Sequence, residues 1–320
     1  MSSIALKTMK TLNAEVGSDE EFRPRKKREP VSPWRIAIYV MLGLYTLWIL
    51  APFMIIFVTS FTTNAEYGEA TGYIWWPKDF SLDGWKALFL EDPFMVDGIP
   101  SLLRGFINTL WITLVPLVSG LLQSLLVAYC YWQERFPFKN SLFMFTIMLM
   151  FVPLGAFGFV GYMFYQNLGW TEGFAAYLPL VVPGLFASAS TVFFLRPYLD
   201  GISGEIVEAA KIDGMNFWQI FFTIVIPLSK SALIAQFIFG FVGGYNNYAG
   251  ALMYLGQESE TMWTLQLTLQ KLIGYMSTSS NGDYNFRCAT SLMAMVPLVI
   301  VYLCSQRFFI EGISFGGGKE

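Results

Sequence analysis

The segment Glu208-Ala209-Ala210-Lys211-Ile212-Asp213-Gly214 is a short polar interval in a chain that is otherwise strongly apolar. A Phe- and Trp-rich stretch follows it and ends in Ile226-Pro227. Ser203 is suited to cap a helix, and Glu205 falls in its first turn, where a carboxylate favours the positive helix end. Gly214 then allows the chain to turn. The sequence therefore predicts a short helix between two long apolar stretches.

The rest of the chain has the composition of a bundle of membrane helices. Of its 320 residues 55% are hydrophobic and 13% are charged, whereas a soluble domain has about 25% charged residues. All 20 basic and 23 acidic residues lie outside six stretches, each near the ~20 residues that a helix needs to cross a bilayer. The six are Ile36–Phe61, Phe106–Tyr131, Ser141–Gln166, Gly173–Leu195, Ser231–Leu255 and Cys288–Gln306. Because backbone groups in lipid must be paired internally, we predict an all-α membrane protein with six transmembrane helices.

The basic residues predict the orientation of this bundle. Eight of the 20 Lys and Arg residues precede the first stretch, and others follow stretches two, four and six: Arg135, Lys139, Arg196, Lys211, Lys230, Arg307 and Lys319. Lys and Arg collect on the cytoplasmic side, so we expect both termini there. The segment 208–214 is then cytoplasmic as well. The net charge of −3 comes from acidic outer loops and gives no indication of nucleic-acid binding.

Three regions are expected along the chain. Residues 1–35 form a cytoplasmic tail that we expect to be disordered, and because their first 30 residues lack an apolar core we expect no cleaved signal peptide. Residues 36–310 form the six-helix transmembrane domain, with the polar connection at about 200–230. Residues 311–320 form a cytoplasmic tail.

Two outer connections are long enough to be structured, Thr62–Gly105 and Gly256–Arg287. The aromatic run Tyr73–Pro77 in the first suits either the belt of Trp and Tyr at a membrane surface or a docking surface. Residues 277–282 in the second are rich in Ser, Asn and Gly and predict a mobile loop.

Missing residue types exclude several classes of function. There is no histidine, which argues against His-based nucleophilic catalysis, haem ligation and most zinc sites. Cys130, Cys288 and Cys304 fall within or at the ends of apolar stretches and are expected to pack there. The tail Gly316–Lys319 lacks the spacing and the hydroxyl residue of a phosphate loop. We expect no catalytic residue, no metal site and no cofactor in this chain.

Five amides fall in the interior of the charge-free stretches: Asn108, Gln123, Gln236, Asn246 and Asn247. Facing lipid would be costly, so they should face the bundle or a watery path. Hydrogen bonds between helices are the plainer interpretation for each. Asn246-Asn247, flanked by Tyr245 and Tyr248, also combine amides with aromatic rings, as a neutral sugar requires. Lining of a substrate path and a structural role both remain open for these four residues.

Two interpretations also fit the predicted helix at residues 203–214. It could rest on the membrane surface as an amphipathic helix, or it could sit in a groove of a cytoplasmic partner. Glu208 and Lys211 are three residues apart and can pair on one helix face. Physical arguments alone do not separate the two.

A resemblance favours the partner. Glu208-Ala209-Ala210, Gly214, Ile224 and Pro227 resemble the EAA loop of permeases in ATP-binding-cassette (ABC) importers, with Ile226 where that family has leucine. Three further motifs are similar to the MalG-type subunit of carbohydrate importers: Phe106–Thr109, Arg135–Lys139 and Gln306–Gly312.

The resemblance implies a type I ABC importer permease in the bacterial plasma (inner) membrane, and a transport subunit rather than an enzyme. Glu208, Ala209, Ala210, Asp213 and Gly214 would form a coupling helix on an ATPase subunit, with small alanines allowing close seating. The implied partners are a second, MalF-like permease subunit, two ATPase subunits that carry ATP and Mg, an extracytoplasmic solute-binding protein and membrane lipid. The expected cargo is a sugar, and more narrowly an oligosaccharide.

That family usually has Trp-Asn-Asp/Asn-Phe where this chain has Tyr245-Asn246-Asn247-Tyr248, so substrate contacts do not carry over residue by residue. The alternatives are the same machine with another cargo, such as a glycerol phosphodiester, and a membrane-embedded enzyme. An ion-coupled transporter would need intramembrane carboxylates, and the stretches have none.

Overall fold

The computed structural model of the chain describes residues 33–70, 72–90, 95–133, 136–152, 157–278 and 284–316. Several predictions fall outside these residues: the disorder of residues 1–32, the placement of Arg135, most of the loop 277–282 and the end of the C-terminal tail. The chain divides into two units, Met1–Pro52 and Phe53–Glu320. The first unit contains the N-terminal part of the first helix. The helix surface and the cleft described for this chain lie in the second unit.

The regular secondary structure of the described residues is helical apart from one hairpin. The helices are α1 Pro33–Thr59, α2 Asn64–Glu69, α3 Asp83–Leu90, α4 Ser101–Gln133, α5 Lys139–Met150, α6 Gly158–Asn167, α7 Leu178–Val181, α8 Ala189–Asp200, α9 Gly204–Ile212, α10 Phe217–Ile220, α11 Ile226–Leu228, α12 Lys230–Tyr245, α13 Tyr248–Leu255, α14 Leu265–Thr278 and α15 Tyr284–Gly316. Short 3₁₀ turns cover Gly173–Tyr177, Pro183–Leu185 and Glu260–Met262, and a π-helix covers Phe221–Val225. Strands β1 Met95–Val96 and β2 Ile99–Pro100 pair antiparallel.

Four described stretches are long and apolar enough to cross a bilayer: Pro33–Thr59, Ser101–Gln133, Gly173–Asp200 and Tyr284–Gln306. Phe217–Leu228 and Lys230–Tyr245 together make a fifth, bent by 73°. The third predicted stretch, Ser141–Gln166, is divided between α5 and α6, and each is shorter than the ~20 residues of a spanning helix. The membrane-helical class is confirmed, and the number of six spans stays a prediction.

The fifth predicted stretch, Ser231–Leu255, is not one continuous helix. α12 ends at Tyr245 and α13 begins at Tyr248. Between them Asn247 Oδ1 accepts a hydrogen bond of 3.0 Å from the Gly250 N–H, which makes Asn247 the N-cap of α13. An unbroken run of uncharged residues could not reveal this break.

Helix α4 lies at the centre of the second unit, against α8, α12 and α14. Two glycines of α12 allow its close approach: a Cβ at Gly240 would lie 2.3 Å from Leu117 Cδ1, and one at Gly244 would lie 2.7 Å from Thr113 Cγ2. Small residues let membrane helices approach closely in this way. The backbone of α12 therefore lies directly against the side chains of Leu117 and Thr113 of α4.

Candidate coupling surface and transport cleft

Helix α9 is the helix predicted around Glu208. Ser203 has the extended backbone of an N-cap, although its side chain makes no capping hydrogen bond. At the other end Gly214 has φ +81°, the left-handed conformation that glycine adopts without strain. The Gly214 N–H donates to Lys211 O (3.1 Å) and the Met215 N–H to Ala210 O (3.0 Å). This pair of bonds is a Schellman motif, which ends the helix and satisfies its last carbonyls.

The two faces of α9 have opposite environments. Val207 is 0% exposed and Ala210 5%, and both lie in a buried apolar cluster with residues of α4, α8 and α10. The other face is exposed over its length and ends in Ile212, which is 86% exposed. The opposite face of this helix is buried, so the exposed Ile212 side chain at its end is available for contact with another protein.

Ring contacts and hydrogen bonds hold the segment after α9 to the spans. The Tyr129 ring, at the C-terminal part of α4, lies 4.8 Å from the Phe217 ring and 5.9 Å from the Phe221 ring. Tyr198 of α8 hydrogen-bonds through its hydroxyl to Leu228 O (3.2 Å) and Ser231 Oγ (2.7 Å). The inner face of α9 belongs to the same buried cluster as Tyr129 and Phe221, so α9 and the segment after it pack on the same helices.

The chain turns sharply between α9 and α12. Asn216 and Gln219 form a reciprocal capping box that starts α10. The π-helix that follows lies just before Pro227, whose missing N–H and bulky ring disturb regular α-helical bonding. The bend of 73° then joins this short arm to α12. Apart from that proline, no local feature of the sequence indicated the π-helix.

The structure brings four predicted coupling residues to one exposed surface: Glu208, Ala209, Asp213 and Gly214. Ala210 points the other way, so its small side chain allows α9 to lie close to its own chain, and only Ala209 is available to a partner. Among the ion pairs of the described residues none joins Glu208 to Lys211, so both charges remain on the surface.

A cleft of about 1000 Å³ lies between α4, the C-terminal end of α5, the turn before α8 and one face of α12. Its polar lining consists of Thr113, Ser188, Ser190, Thr191, Gln236 and Asn247. None of the residues that line it carries a charge. The hydroxyls of residues 188–191 were missed by the sequence analysis, although the run Ser188-Ala189-Ser190-Thr191 inside a predicted span was a visible signal.

One wall of the cleft is a stretch where helical structure is interrupted. Phe186 and Ser188 are extended between the turn Pro183–Leu185 and α8. Side chains of α4 bond this stretch: Ser119 Oγ and Gln123 Nε2 donate to Leu185 O (2.8 and 2.7 Å), and Ser124 Oγ accepts from the Ser188 N–H (2.9 Å). Broken helices are tolerated at membrane depth where neighbouring helices satisfy the freed backbone groups.

The predicted substrate group at residues 245–248 is divided between several environments. Tyr245 is buried, and its hydroxyl donates to Ala294 O at 2.8 Å, so its ring packs between helices. Asn246 accepts a bond of 3.2 Å from Gln266 Nε2. Tyr248 packs against a buried cluster that includes Ala251 and Leu255. Asn247 alone among the four lines the cleft.

In the described part of the chain no group of three or more His, Cys, Asp or Glu is placed to bind a metal ion. The two surfaces that the structure presents are the exposed face of α9 and the neutral polar cleft.

Comparison with known proteins agrees with this architecture. Residues 120–314 match the family model described as binding-protein-dependent transport system inner membrane component. An arabinooligosaccharides transport system permease protein, AraQ, of Halalkalibacterium halodurans is 28% identical over 92% of this chain and 99% of its own length. The inner membrane ABC transporter permease protein YcjP of Escherichia coli is 30% identical over 89% of this chain and 96% of its own length.

A third relative and one solved structure extend the comparison. The sn-glycerol-3-phosphate transport system permease protein UgpE of Yersinia pestis is 30% identical over 66% of this chain and 71% of its own length. A chain of a bacterial ABC transporter involved in the import of the acidic polysaccharide alginate has the same fold, with a TM-score of 0.73 and 23% identity over 89% of this chain and 99% of that one. Because the family model matches more than half of the sequence, this chain belongs to the family of binding-protein-dependent transport system inner membrane components, the permease subunits of ABC importers.

Proposed function

We propose that this chain forms half of the translocation pore of an ATP-driven sugar importer, with oligosaccharides as its cargo. A second, MalF-like permease subunit completes the pore, and an extracytoplasmic solute-binding protein delivers the sugar. Two ATPase subunits bind ATP and Mg and drive the cycle. The relative named for arabinooligosaccharide transport, similar over nearly its whole length, supports this class of cargo.

The observation that carries the proposal is the two-faced helix α9. Its inner face is built into the ends of α4, α8 and α10, and its outer face offers Glu208, Ala209 and Ile212 to another protein. ATP-driven movement of a docked ATPase would bias the spans between two arrangements, because α9 cannot move without them. A helix resting on lipid would need a continuous apolar outer face, and Glu208 and Lys211 interrupt it.

We further propose six spans with both termini in the cytoplasm, in the manner of a type I importer. The charge-free stretches and the flanking basic residues support this topology. Helices α5 and α6 would then cross the membrane as one span.

Transport of a glycerol phosphate compound is the second candidate, supported by the relative named for sn-glycerol 3-phosphate. An anionic cargo favours Arg or Lys in its path, and the cleft in this chain is lined without either. Uptake of sn-glycerol 3-phosphate, compared with that of arabinotriose by the complete importer, separates the two. Faster uptake of the phosphate would favour the second candidate.

A pair of neighbouring alanines tests the coupling role. Ala209→Leu adds bulk to the exposed face, and we expect it to block docking of the ATPase and to abolish transport while the permease keeps its thermal stability in detergent. Ala210→Leu adds the same bulk beneath the helix, where overpacking lowers the free energy of unfolding by about 1–3 kcal/mol. ATPase retention on the purified permease and the unfolding midpoint are measured for both variants.

A charge reversal gives an independent check. Glu208→Lys should abolish transport with membrane insertion intact, whereas Asp200→Lys, the same change at an exposed position before α9, should retain it. The coupling role is wrong if Glu208→Lys and Ala209→Leu both transport normally with the ATPase bound.

A further inference from the structure

Five amides lie in the interior of the charge-free stretches, and among them Gln236 alone makes no hydrogen bond in the described part of the chain. The other four have partners: Asn108 donates to Thr261 O and Trp263 O, Gln123 to Leu185 O, Asn246 to Val242 O, and Asn247 accepts from the Gly250 N–H. A primary amide in an apolar span costs free energy unless it is hydrogen-bonded. Gln236 is partly exposed, so its amide is left to pair with water or with another molecule in the cleft.

The position of Gln236 says where that partner must be. Gln236, Gly240 and Gly244 recur at four-residue intervals on one face of α12, and all three line the cleft. The hydroxyl residues Ser188, Ser190 and Thr191 line the same cleft. The Gln236 amide thus opens onto a space whose other polar groups are neutral hydroxyls and an amide.

Two exposed aromatic rings also line the cleft. Phe186 is 61% exposed and Phe239 is 62% exposed, and both border the cleft beside these polar groups. Rings give flat apolar faces for the C–H surface of a sugar ring, while amides and hydroxyls pair with its hydroxyl groups. A phosphate or a uronate would instead favour a cation, and the lining has none.

We propose that Gln236 is a contact residue for a neutral oligosaccharide in transit, together with the hydroxyls of Ser188, Ser190 and Thr191 in the same cleft. The Gln236 amide donates to one sugar hydroxyl and accepts from another. This inference rests on the proposed function and adds to it the residues of this chain that meet the cargo. The predicted group at residues 245–248 then contributes Asn247 alone.

The first test uses the complete importer in proteoliposomes, with radiolabelled arabinotriose and maltotriose as probes and with ATP hydrolysis measured in parallel. Gln236→Leu removes the amide at similar volume. We expect sugar delivered per ATP hydrolysed to fall about three- to tenfold, the effect of one lost hydrogen bond, while ATPase activity is kept. Gln236→Asn should restore part of the loss, because it returns the amide.

The matched control is Ser291→Ala in α15, which removes a polar group from another span. The Ser291 hydroxyl bonds only to Arg287 O of its own helix, so transport should be unchanged. If Gln236→Leu delivers sugar as the unmodified importer does, this inference is overturned and the proposed function stands. If the unmodified importer shows neither uptake of the probes nor sugar-stimulated ATPase activity, the proposed function fails, and this inference with it.

A second test separates cargo from a protein occupant. Gln236→Cys, in a chain whose Cys130, Cys288 and Cys304 are replaced by Ser, is exposed to a water-soluble methanethiosulfonate in the assembled importer. Modification that slows when maltotriose-loaded binding protein and ATP are added supports the inference. A cysteine that is modified in the isolated permease but closed to the reagent in every state of the importer would assign the cleft to the second permease subunit and overturn it.

Discussion

At the scale of single residues, Gly214 has the backbone conformation that is hardest for another residue to adopt in the proposed coupling surface of Glu208, Ala209, Asp213 and Gly214. Its φ of +81° is strained for any residue with a Cβ, and most of all for a β-branched one. We expect Gly214→Val to lower the free energy of unfolding by about 1–3 kcal/mol and to reduce transport further than this loss alone would, because the end of α9 is displaced. Thermal unfolding in detergent and sugar uptake by the importer measure the two effects.

Gly204 provides the matched control at the start of the same helix. A Cβ there meets no atom within 4 Å, and its φ lies outside the left-handed range. Gly204→Ala should leave stability unchanged or raise it by up to about 1 kcal/mol, because alanine loses less conformational entropy in a helix. Equal effects of the two variants would mean that the turn at Gly214 does not determine the position of α9.

At the scale of elements, the packing of α12 on α4 depends on which glycine faces inward. A Cβ at Gly244 would lie 2.7 Å from Thr113 Cγ2, whereas one at Gly243 meets nothing within 4 Å. Gly244→Val should therefore push the helices apart and lower the free energy of unfolding by about 1–3 kcal/mol. Gly243→Val should have little effect on the unfolding midpoint. If Gly243→Val lowered the free energy of unfolding more than Gly244→Val did, the two helices would have to meet through another face.

Local signals made parts of these elements predictable. The start of α9 near Ser203 and its end at Gly214 depend on residues within one turn of each terminus, so the sequence alone indicated both. The orientation of Ala210 toward its own chain depends instead on α4, α8 and α10, which come from distant parts of the sequence. Helix periodicity separates Ala209 from Ala210 but cannot say which face the bundle occupies.

The interruptions within spans were unpredictable for a related reason. The extended stretch at residues 186–188 is held by Ser119, Gln123 and Ser124, more than 60 residues earlier in the chain. A continuous helix and a broken one can both lack charged residues. The absence of charge therefore located the apolar stretches but could not show where their helices break. The break at Asn246-Asn247 likewise needed the Gly250 N–H as a partner.

At the scale of the whole molecule, the proposed topology makes a clear prediction. Green fluorescent protein fused after Glu320 should fluoresce, because both termini are proposed to be cytoplasmic, and alkaline phosphatase fused after Pro100 should be active outside. Phosphatase fused after Met215 should be inactive, because the coupling surface would lie inside. Phosphatase activity in the fusion after Met215 would show that α9 lies outside the cell, where a cytoplasmic ATPase subunit could not contact it.

The glycines that border the cleft have a consequence for the range of molecules that it could admit. Gly120 lies against the Gly184 carbonyl, and Gly184 lies against the ring of Pro116. Main chain and a proline ring have no side-chain rotamers to exchange, so a bulkier molecule could not be accommodated at this contact by a change of rotamer. The width of the cleft there depends on how whole helices are spaced, while the polar side chains of its lining would affect only which molecules bind within it.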